Sequence, residues 1–398
     1  MTPAVDAGIV RSGKVFHLEF QLLATCADGI TDLLAGEIAR LGGTAVQTGY
    51  RVVRFTATEE VYYAAHLHLR TATRILRILK DLPAGAPNIV FSKARQIRFD
   101  KLFLAELPVE IAVISAGGAQ PEPGELPTHL IGSKLREAIN DSFQYHQKVT
   151  PNQSARGARV SVRGFLHHRR LMVSLDTSLE ALHRRGQRAA GHPAPIKETL
   201  AAALLLVCGY DGTTPFYDPM CGGGTIAIEA AQLATGTAPL IHRSRGGFGF
   251  EHLLDFNEPL WEKLVAAAKA ARHAPGAPIF MSDLDPGYVE LARQSAAYAG
   301  VGGAISASVK DFFHTSKPAE SGTMIMNLPY GQRLSDQLVD AAFLAALGDH
   351  LKAAYQGWRC GVLAPAAAPL KAIGLKPNRQ AAFLNGLIPV KLLVFDIY

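Results

Sequence analysis

Three consecutive glycines between an apolar strand and an alanine-rich helix constrain this chain more than any other feature. The stretch FYDPMCGGGTIAIE puts Tyr217 and Asp218 on the strand, Gly222 to Gly224 in the turn and Glu229 in the helix. A chain that leaves a buried strand through glycines into a helix N-terminus builds one unit of a parallel α/β sheet, and the glycines let a ligand approach the backbone closely. The surrounding texture agrees. TPFYDP, APIFMSD, AISASVKD, TMIMNLP and RCGVLAP read as short apolar strands between alanine-rich helices, the pattern of a parallel sheet covered on both faces. A final strand pair is expected near KAIGLK and in IPVKLLVFDIY. The texture changes after Asp176, so this α/β domain is placed at residues 177–398.

The N-terminal part reads as α+β. VFHLEFQLLAT from Val15 is a predicted strand, and GITDLLAGEIARLG is a helix with Leu33, Leu34 and Ile38 on one face, ended by Gly42 and Gly43. RVVRFTA is a second strand, and VYYAAHLHLRTATRILRIL keeps helical spacing throughout. Then come a strand in VEIAVISAG, a Pro- and Gly-rich break from Gln120 to Pro127, and a helix in SKLREAINDSFQYHQ. ARVSVRGFLHHRRLMVSLDTS gives two strands around a basic turn. The order predicts two α+β units, residues 1–66 and 67–176, with the second separate from the first.

A chain of 398 residues is long enough for two or three domains, and its net charge of +6 favours acidic partners such as nucleic acid without identifying one. Cys26, Cys208, Cys221 and Cys360 lie too far apart for zinc pairs or a disulfide framework, so reduced thiols and no metal are expected. His183 and His242 sit in basic stretches with no ligand cluster around them. The N-terminus lacks the apolar run of a secretion signal, and stretches such as LAAALLLVCGY are too short to cross a bilayer. The expectation is a cytoplasmic protein with no membrane partner.

Glycine loops of this kind serve several nucleotides. CGGGTIAIE does not fit the dinucleotide pattern GxGxxG, and no Walker lysine follows it. The acidic residue before the loop separates the classes, because Asp218 would repel a pyrophosphate but suits the ammonium of a methionine moiety. Asp218 and the loop of Pro219, Met220, Cys221, Gly222 and Gly224 are therefore assigned to the amino-acid end of S-adenosylmethionine. In MSDLDPGYVELARQSAAYAGV, Asp283 closes the next strand and is the candidate for the ribose hydroxyls. Leu284 would pack on the adenine, and Asp285 would cap the following helix. Helix capping alone explains isolated aspartates; their register after the glycine loop favours the ligand. In SVKDFF, Asp311 is placed to accept the adenine amino group and Phe312 to stack on its ring.

TMIMNLPYGQRL brings Asn327, Leu328, Pro329 and Tyr330 to the end of a further strand, on the same sheet edge. A guanine or adenine amino nitrogen delocalises its lone pair into the ring and attacks a methyl sulfonium poorly unless its hydrogens are held. The Asn327 side-chain oxygen and the Leu328 carbonyl can each accept one. Pro329 biases Leu328 to an extended conformation, and Tyr330 offers a face for a flipped base. Arg163, Arg169 and Arg170 in RGFLHHRR, with Arg184 and Arg185 in HRRGQR, are candidate phosphate contacts, although most such runs are simply solvated. HRSRGGFGFEHL is a candidate flap over the target nucleotide.

Together DPMCGGGTIAIEAA, SDLDPGYVELARQSAAYAGV and NLPYGQRL resemble the RNA guanine-N2 methyltransferases that carry a THUMP domain. LHLRTATRIL, SLDTSLEALHRRGQRAAGHPAPIKETLAAALL and AAFLNGLIPVKLLVFDIY extend the resemblance over nearly the whole chain. It is nearest to the bacterial 23S rRNA branch, in its form with a single catalytic domain. The resemblance implies a ferredoxin-like segment, a THUMP domain holding structured RNA, and a Rossmann-like S-adenosylmethionine-dependent domain acting on guanosine in 23S rRNA. Two positions depart from the family pattern. Leu328 stands where a second proline is usual, as in the related tRNA enzymes, and Gln187 replaces an aromatic residue. The competing functions are guanine-N2 methylation of tRNA, a non-catalytic RNA-binding assembly factor, and a dinucleotide oxidoreductase. The acidic residue before the glycines and the NLPY strand end disfavour the last.

Overall fold

A computed structural model describes residues 19–116, 122–186, 196–329 and 339–398. Two seven-stranded sheets organise them. The first contains β1 (Glu19–Thr25), β2 (Thr44–Gly49), β3 (Val52–Thr58), β4 (Arg74–Pro83), β5 (Val109–Ser115), β6 (Val160–His167) and β7 (Arg170–Asp176). Their order is β2-β3-β1-β4-β7-β6-β5, antiparallel except for the β5–β6 pair. Helices α1 (Thr31–Arg40), α2 (Glu59–His68), α3 (Pro87–Ala94) and α4 (Thr128–Gln147) accompany this sheet.

Strand β4 corrects two expectations. The helix-like run VYYAAHLHLRTATRILRIL is split, with α2 ending at His68 and RILRIL forming a strand. Neighbouring Ile75 and Leu76 are both buried, as in a strand covered on both faces, and such a run fits helical spacing equally well. Arg77 of β4 pairs with Leu22 on one side and Leu175 on the other, so the two N-terminal units share one continuous sheet. Local pattern carries no trace of that, because strand pairing is a long-range event.

The second sheet contains β8 (Phe216–Asp218), β9 (Ile279–Asp283), β10 (Ile305–Val309), β11 (Gly322–Asn327), β12 (Trp358–Pro365), β13 (Arg379–Asn385) and β14 (Ile388–Asp396). In the order β10-β9-β8-β11-β12-β14-β13, the first five run parallel and β14 is antiparallel to both its neighbours. Helices α5 (Glu198–Cys208), α6 (Thr225–Ala234), α7 (Glu258–Ala270), α8 (Pro286–Tyr298) and α9 (Ala341–Ala354) connect or cover them. This is the expected Rossmann-like α/β domain. One strand is misplaced in the sequence reading: KAIGLK forms a short 3₁₀ turn, Leu370–Ile373, closed by Gly374 at φ 66°, and β13 pairs with β14 instead. No helix among the described residues is long and apolar enough to cross a membrane.

A shared core joins the two sheets. Tyr62, Tyr63 and His66 of α2 pack on Phe248, Phe250 and Trp261. His66 is fully buried between the Tyr62 carbonyl and the Thr177 hydroxyl, each at 2.9 Å, and burial pushes its imidazole down to about 3. The stretch around Phe248 is therefore interdomain core and not a flap over a nucleotide. Arg243 in the same stretch donates to the carbonyls of Ser178, Ala181 and Arg184 at 3.0–3.1 Å, clamping the junction segment.

Arg185 is also structural. Its guanidinium is fully covered, ion-paired with the buried Glu229 of α6, and it donates to the Arg70 carbonyl at 2.7 Å. Arg70 approaches the same carboxylate at 3.6 Å and donates to the Thr237 carbonyl at 2.8 Å. Removing one partner of such a buried pair costs about 3–5 kcal/mol, so the network holds the N-terminal sheet against the helix that starts at the glycine loop.

Candidate active site

Four parallel strands end along one edge, and each brings a polar residue there. In spatial order these are Asp311 just after β10, Asp283 ending β9, Asp218 ending β8 and Asn327 ending β11. Strand order reverses between β8 and β11, where open α/β sheets bind ligands. With neighbouring strands ~4.8 Å apart, β9 and β11 lie about 10 Å from each other, with Asp218 between.

Asp218 is 1 % exposed, and neither carboxylate oxygen has a well-formed hydrogen bond. Burial first, and the Asp283 charge second, push it up to about 8, against the nearby amides of Met220 and Ala227. A buried carboxylate without a cation is costly, so it retains its proton until a positive group arrives. The loop that follows is tied to β9. Cys221 donates its amide to the Ser282 carbonyl at 2.9 Å, and Gly222 donates its amide to Asp283 Oδ2 at 2.8 Å. Gly224 has φ 80°, and a Cβ there would sit 3.0 Å from the Ala292 methyl, so a side chain would be both strained and crowded. Burial pushes the Cys221 thiol well above its usual value, which leaves this residue a backbone role. The Ser282 hydroxyl lies 2.7 Å from that of Tyr217 and braces the turn from beneath. Sequence reasoning misses Ser282; a lone serine within the apolar strand IFMSD is the only signal of it.

Asp283 also accepts the Asp285 amide at 3.1 Å through Oδ1. Each oxygen thus holds one backbone amide and keeps a second lone pair. Asp285 caps α8 through the Gly287 amide at 2.7 Å, as expected. Leu284 is 70 % exposed beside it, an apolar surface without cover at the edge. Asp311 is half-buried, accepts the Phe313 amide at 3.0 Å and pairs with His314 at 2.9 Å. Phe312 does not fit its expected stacking role. Its ring is buried, stacked on Tyr355 with centroids 5.5 Å apart and met edge-on by His350 at 4.9 Å. The sequence offers no way to tell a strand-end phenylalanine in the core from one facing a ligand.

At Asn327, Oδ1 is buried and has no hydrogen-bond partner among the described residues. Leu328 continues the β11–β12 pairing by donating its amide to the Leu363 carbonyl at 3.0 Å. Its side chain is buried in a cluster with Tyr217, Met326 and Phe312. Pro329 is half-buried, while Tyr330 and Gln187 lie outside the described residues. Orphaned acceptors of this kind cost about 1–3 kcal/mol each when left unmet. The donor set wanted at this edge is one cation at Asp218 and one N–H at Asn327, which fits the ammonium of S-adenosylmethionine and an exocyclic amine.

The basic candidates separate. Arg163 is turned into the sheet, 3.3 Å from Glu110 and 3.6 Å from Asp176, and Arg185 is buried as described above. Arg169, Arg170 and Arg184 are exposed.

Residues 185–393 match the family described as RMKL-like, methyltransferase domain, and residues 21–76 match the RlmL ferredoxin-like domain. The Synechocystis sp. protein slr0064, named as a candidate RNA methyltransferase, is 30 % identical over 94 % of this chain and 96 % of its own. The ribosomal RNA large subunit methyltransferase K/L of Vibrio campbellii is 32 % identical over 93 % of this chain and 52 % of its own, so the chain spans about half of that relative. The solved structure of SMU.472, named as a candidate methyltransferase and complexed with SAH, is 25 % identical with a TM-score of 0.84, over 96 % of this chain and 98 % of that one.

Proposed function

The chain belongs to the RMKL-like family of S-adenosylmethionine-dependent methyltransferases, and from that membership we propose that it methylates the exocyclic N2 amine of a guanosine in 23S rRNA. The observation that carries this reading is the unmet, buried Oδ1 of Asn327 on the sheet edge that also holds Asp218. The cofactor supplies an electrophilic methyl sulfonium when bound. Asp218 binds its ammonium, and the backbone from Pro219 to Gly224 lies against its amino-acid end. The free lone pairs of Asp283 take the ribose hydroxyls, Leu284 covers the adenine, and Asp311 accepts the adenine amino group.

At the acceptor side, Asn327 Oδ1 and the Leu328 carbonyl hold the two amine hydrogens. That turns the nitrogen lone pair toward the methyl carbon, and alignment of the reacting atoms is the main service required. The nitrogen becomes acidic only once it carries the methyl group, so no residue has to remove a proton beforehand. Pro329 fixes the direction of the Leu328 carbonyl, and Tyr330 is assigned the stacking face for the base. A THUMP role in RNA binding for the N-terminal sheet, with exposed Arg169, Arg170 and Arg184 as phosphate contacts, completes the reading.

Two substitutions test the division of labour. Asp283→Ala removes both the Gly222 brace and the ribose acceptor and is expected to weaken cofactor affinity by about 1–3 kcal/mol in calorimetry. An unchanged affinity would assign the ribose elsewhere. Leu328→Pro should lower unfolding stability by about 2–5 kcal/mol through the truncated buried side chain and the lost amide bond to Leu363, yet leave the target RNA unchanged. The buried Leu328 side chain offers substrate nothing but backbone, and a switch of target in this variant would show otherwise.

The reaction itself is tested with methyl-labelled cofactor and RNA fractions from cells lacking the gene. Label in 23S rRNA is the expected result. Label confined to tRNA would transfer the assignment there, and cofactor binding without label in any fraction would point to a non-catalytic assembly factor.

A further inference from the structure

We propose that the open face of the first sheet is a stacking platform for single-stranded RNA centred on Phe165, an inference that rests on the RNA substrate proposed above. Register places three apolar side chains in one row across three strands. Ile114 of β5 lies opposite Phe165 of β6, which lies opposite Met172 of β7. Ile114 is 63 % exposed and Phe165 38 % exposed. Side chains two residues apart on a strand share a face, so His167 follows Phe165 on the same side. Its ring is 6.4 Å from that of Phe165, and the His168 ring is 3.9 Å further along. Three aromatic rings therefore follow one another toward the β6–β7 turn.

The turn adds charge. His168 and Arg169 hold φ of 47° and 57°, closing a tight hairpin without glycine that presents Arg169 and Arg170 to solvent. Neither arginine is ion-paired among the described residues, whereas the carboxylates nearby are engaged. Asp81 pairs with Arg54 at 3.1 Å, Glu110 with Arg163 at 3.3 Å, and Glu122 approaches His168 at 3.2 Å. Glu125 is met among the described residues by hydrogen bonds alone, from the Ser115 hydroxyl at 3.0 Å and the Glu122 and Arg169 amides at 3.1 and 3.4 Å, so the rings lie between the free guanidinium groups of Arg169 and Arg170 and a rim formed by Glu122 and Glu125.

Partly exposed aromatic rings bordered on one side by free guanidinium groups match unpaired bases on a phosphate backbone. Every base has a face to stack, whereas a paired duplex hides those faces. The far end of β7 abuts the catalytic domain, where the Asp176 carbonyl lies 2.4 Å from the position a Cβ on Gly249 would take. A strand of RNA stacked at Phe165 thus begins about 13 Å from the domain junction, counting four residue steps along β7 from its partner Met172 to Asp176 at about 3.3 Å each.

The test is fluorescence anisotropy of the full chain with a labelled oligouridylate and with a blunt RNA duplex of equal length. Phe165→Ala is expected to weaken oligouridylate binding by about 5- to 150-fold, the range for loss of one stacked base, and Phe165→Tyr to retain it. Arg170→Ala should reduce the slope of log affinity against log salt by about 0.7, one single-strand phosphate contact. Cofactor affinity should not change in any of these variants, since the ring lies on the first sheet, remote from the glycine loop, while Phe165→Ala should lower the thermal midpoint only modestly through its lost cross-strand contacts. Unchanged oligouridylate affinity in Phe165→Ala would overturn the platform. So would an equal loss for the duplex, or a wild-type dimer that this variant dissociates, which would give the face to a second copy. Intact oligouridylate binding without methyl transfer to any RNA would sink the proposed reaction and leave the platform standing.

Discussion

Replacing Asn327 by alanine is expected to slow methyl transfer by about 10²–10³-fold while leaving cofactor affinity as it was. The magnitude follows that for deleting one preorganised hydrogen-bonding group aimed at the reacting atom, here an acceptor in place of a donor. The selectivity follows from position, because Asn327 ends β11 whereas the glycine loop follows β8 and is braced from β9. Among the described residues Asn327 Oδ1 has no hydrogen-bond partner, so removing that acceptor breaks no bond to them. Single-turnover transfer alongside calorimetry separates the two quantities. Equal loss of cofactor binding would show that Asn327 belongs to the cofactor site.

The second large effect is expected at Asp218. Its carboxyl, at 3.8 in the ordinary case, is raised to about 8 in the folded, ligand-free protein. The folded state therefore binds more protons than the unfolded chain between those values. The contribution of this group to stability is complete below about 4 and is lost as pH rises through about 8. A bound ammonium reverses that cost by favouring the ionised form. Cofactor affinity should rise with pH up to about 7.5, where the α-ammonium of the cofactor itself begins to titrate, with a proton released on binding at neutral pH. Asp218→Asn removes the titration, so its affinity should be flat over that window and about 10- to 150-fold weaker at pH 8, the loss of a charge-assisted hydrogen bond. Its ligand-free form should gain stability at pH 8 relative to wild type. A pH dependence that survives the substitution would move the proton to another group.

Much of the catalytic half is legible in the sequence because a parallel α/β sheet writes itself locally. Each strand is a short apolar run, its polar candidate residue sits at the carboxyl end, and the glycines mark the turn, so Asp218, Asp283 and Asn327 are found on one sheet edge where the pattern puts them. What escapes is set by distant partners. Arg184 and Arg185 are neighbours of the same type, yet one is exposed and the other is locked onto Glu229. Phe312 faces Tyr355 and not the ligand edge, a choice made by β12 and α9 packing around it. Arg243 looks like a mobile basic residue in a glycine-containing loop, but carbonyls of the junction segment fix it. The continuity of the first sheet through β4 is likewise invisible until both of its edges are seen to be paired.

The most direct test of the central claim is the chemical identity of the product. RNA methylated by the purified protein with a deuterated methyl donor, digested to nucleosides and resolved by mass spectrometry, should yield deuterium only in N2-methylguanosine. Deuterium on a ribose oxygen or a ring carbon would contradict an edge built to hold the hydrogens of an exocyclic amine, and deuterium in N6-methyladenosine would keep that edge but overturn guanosine as its substrate.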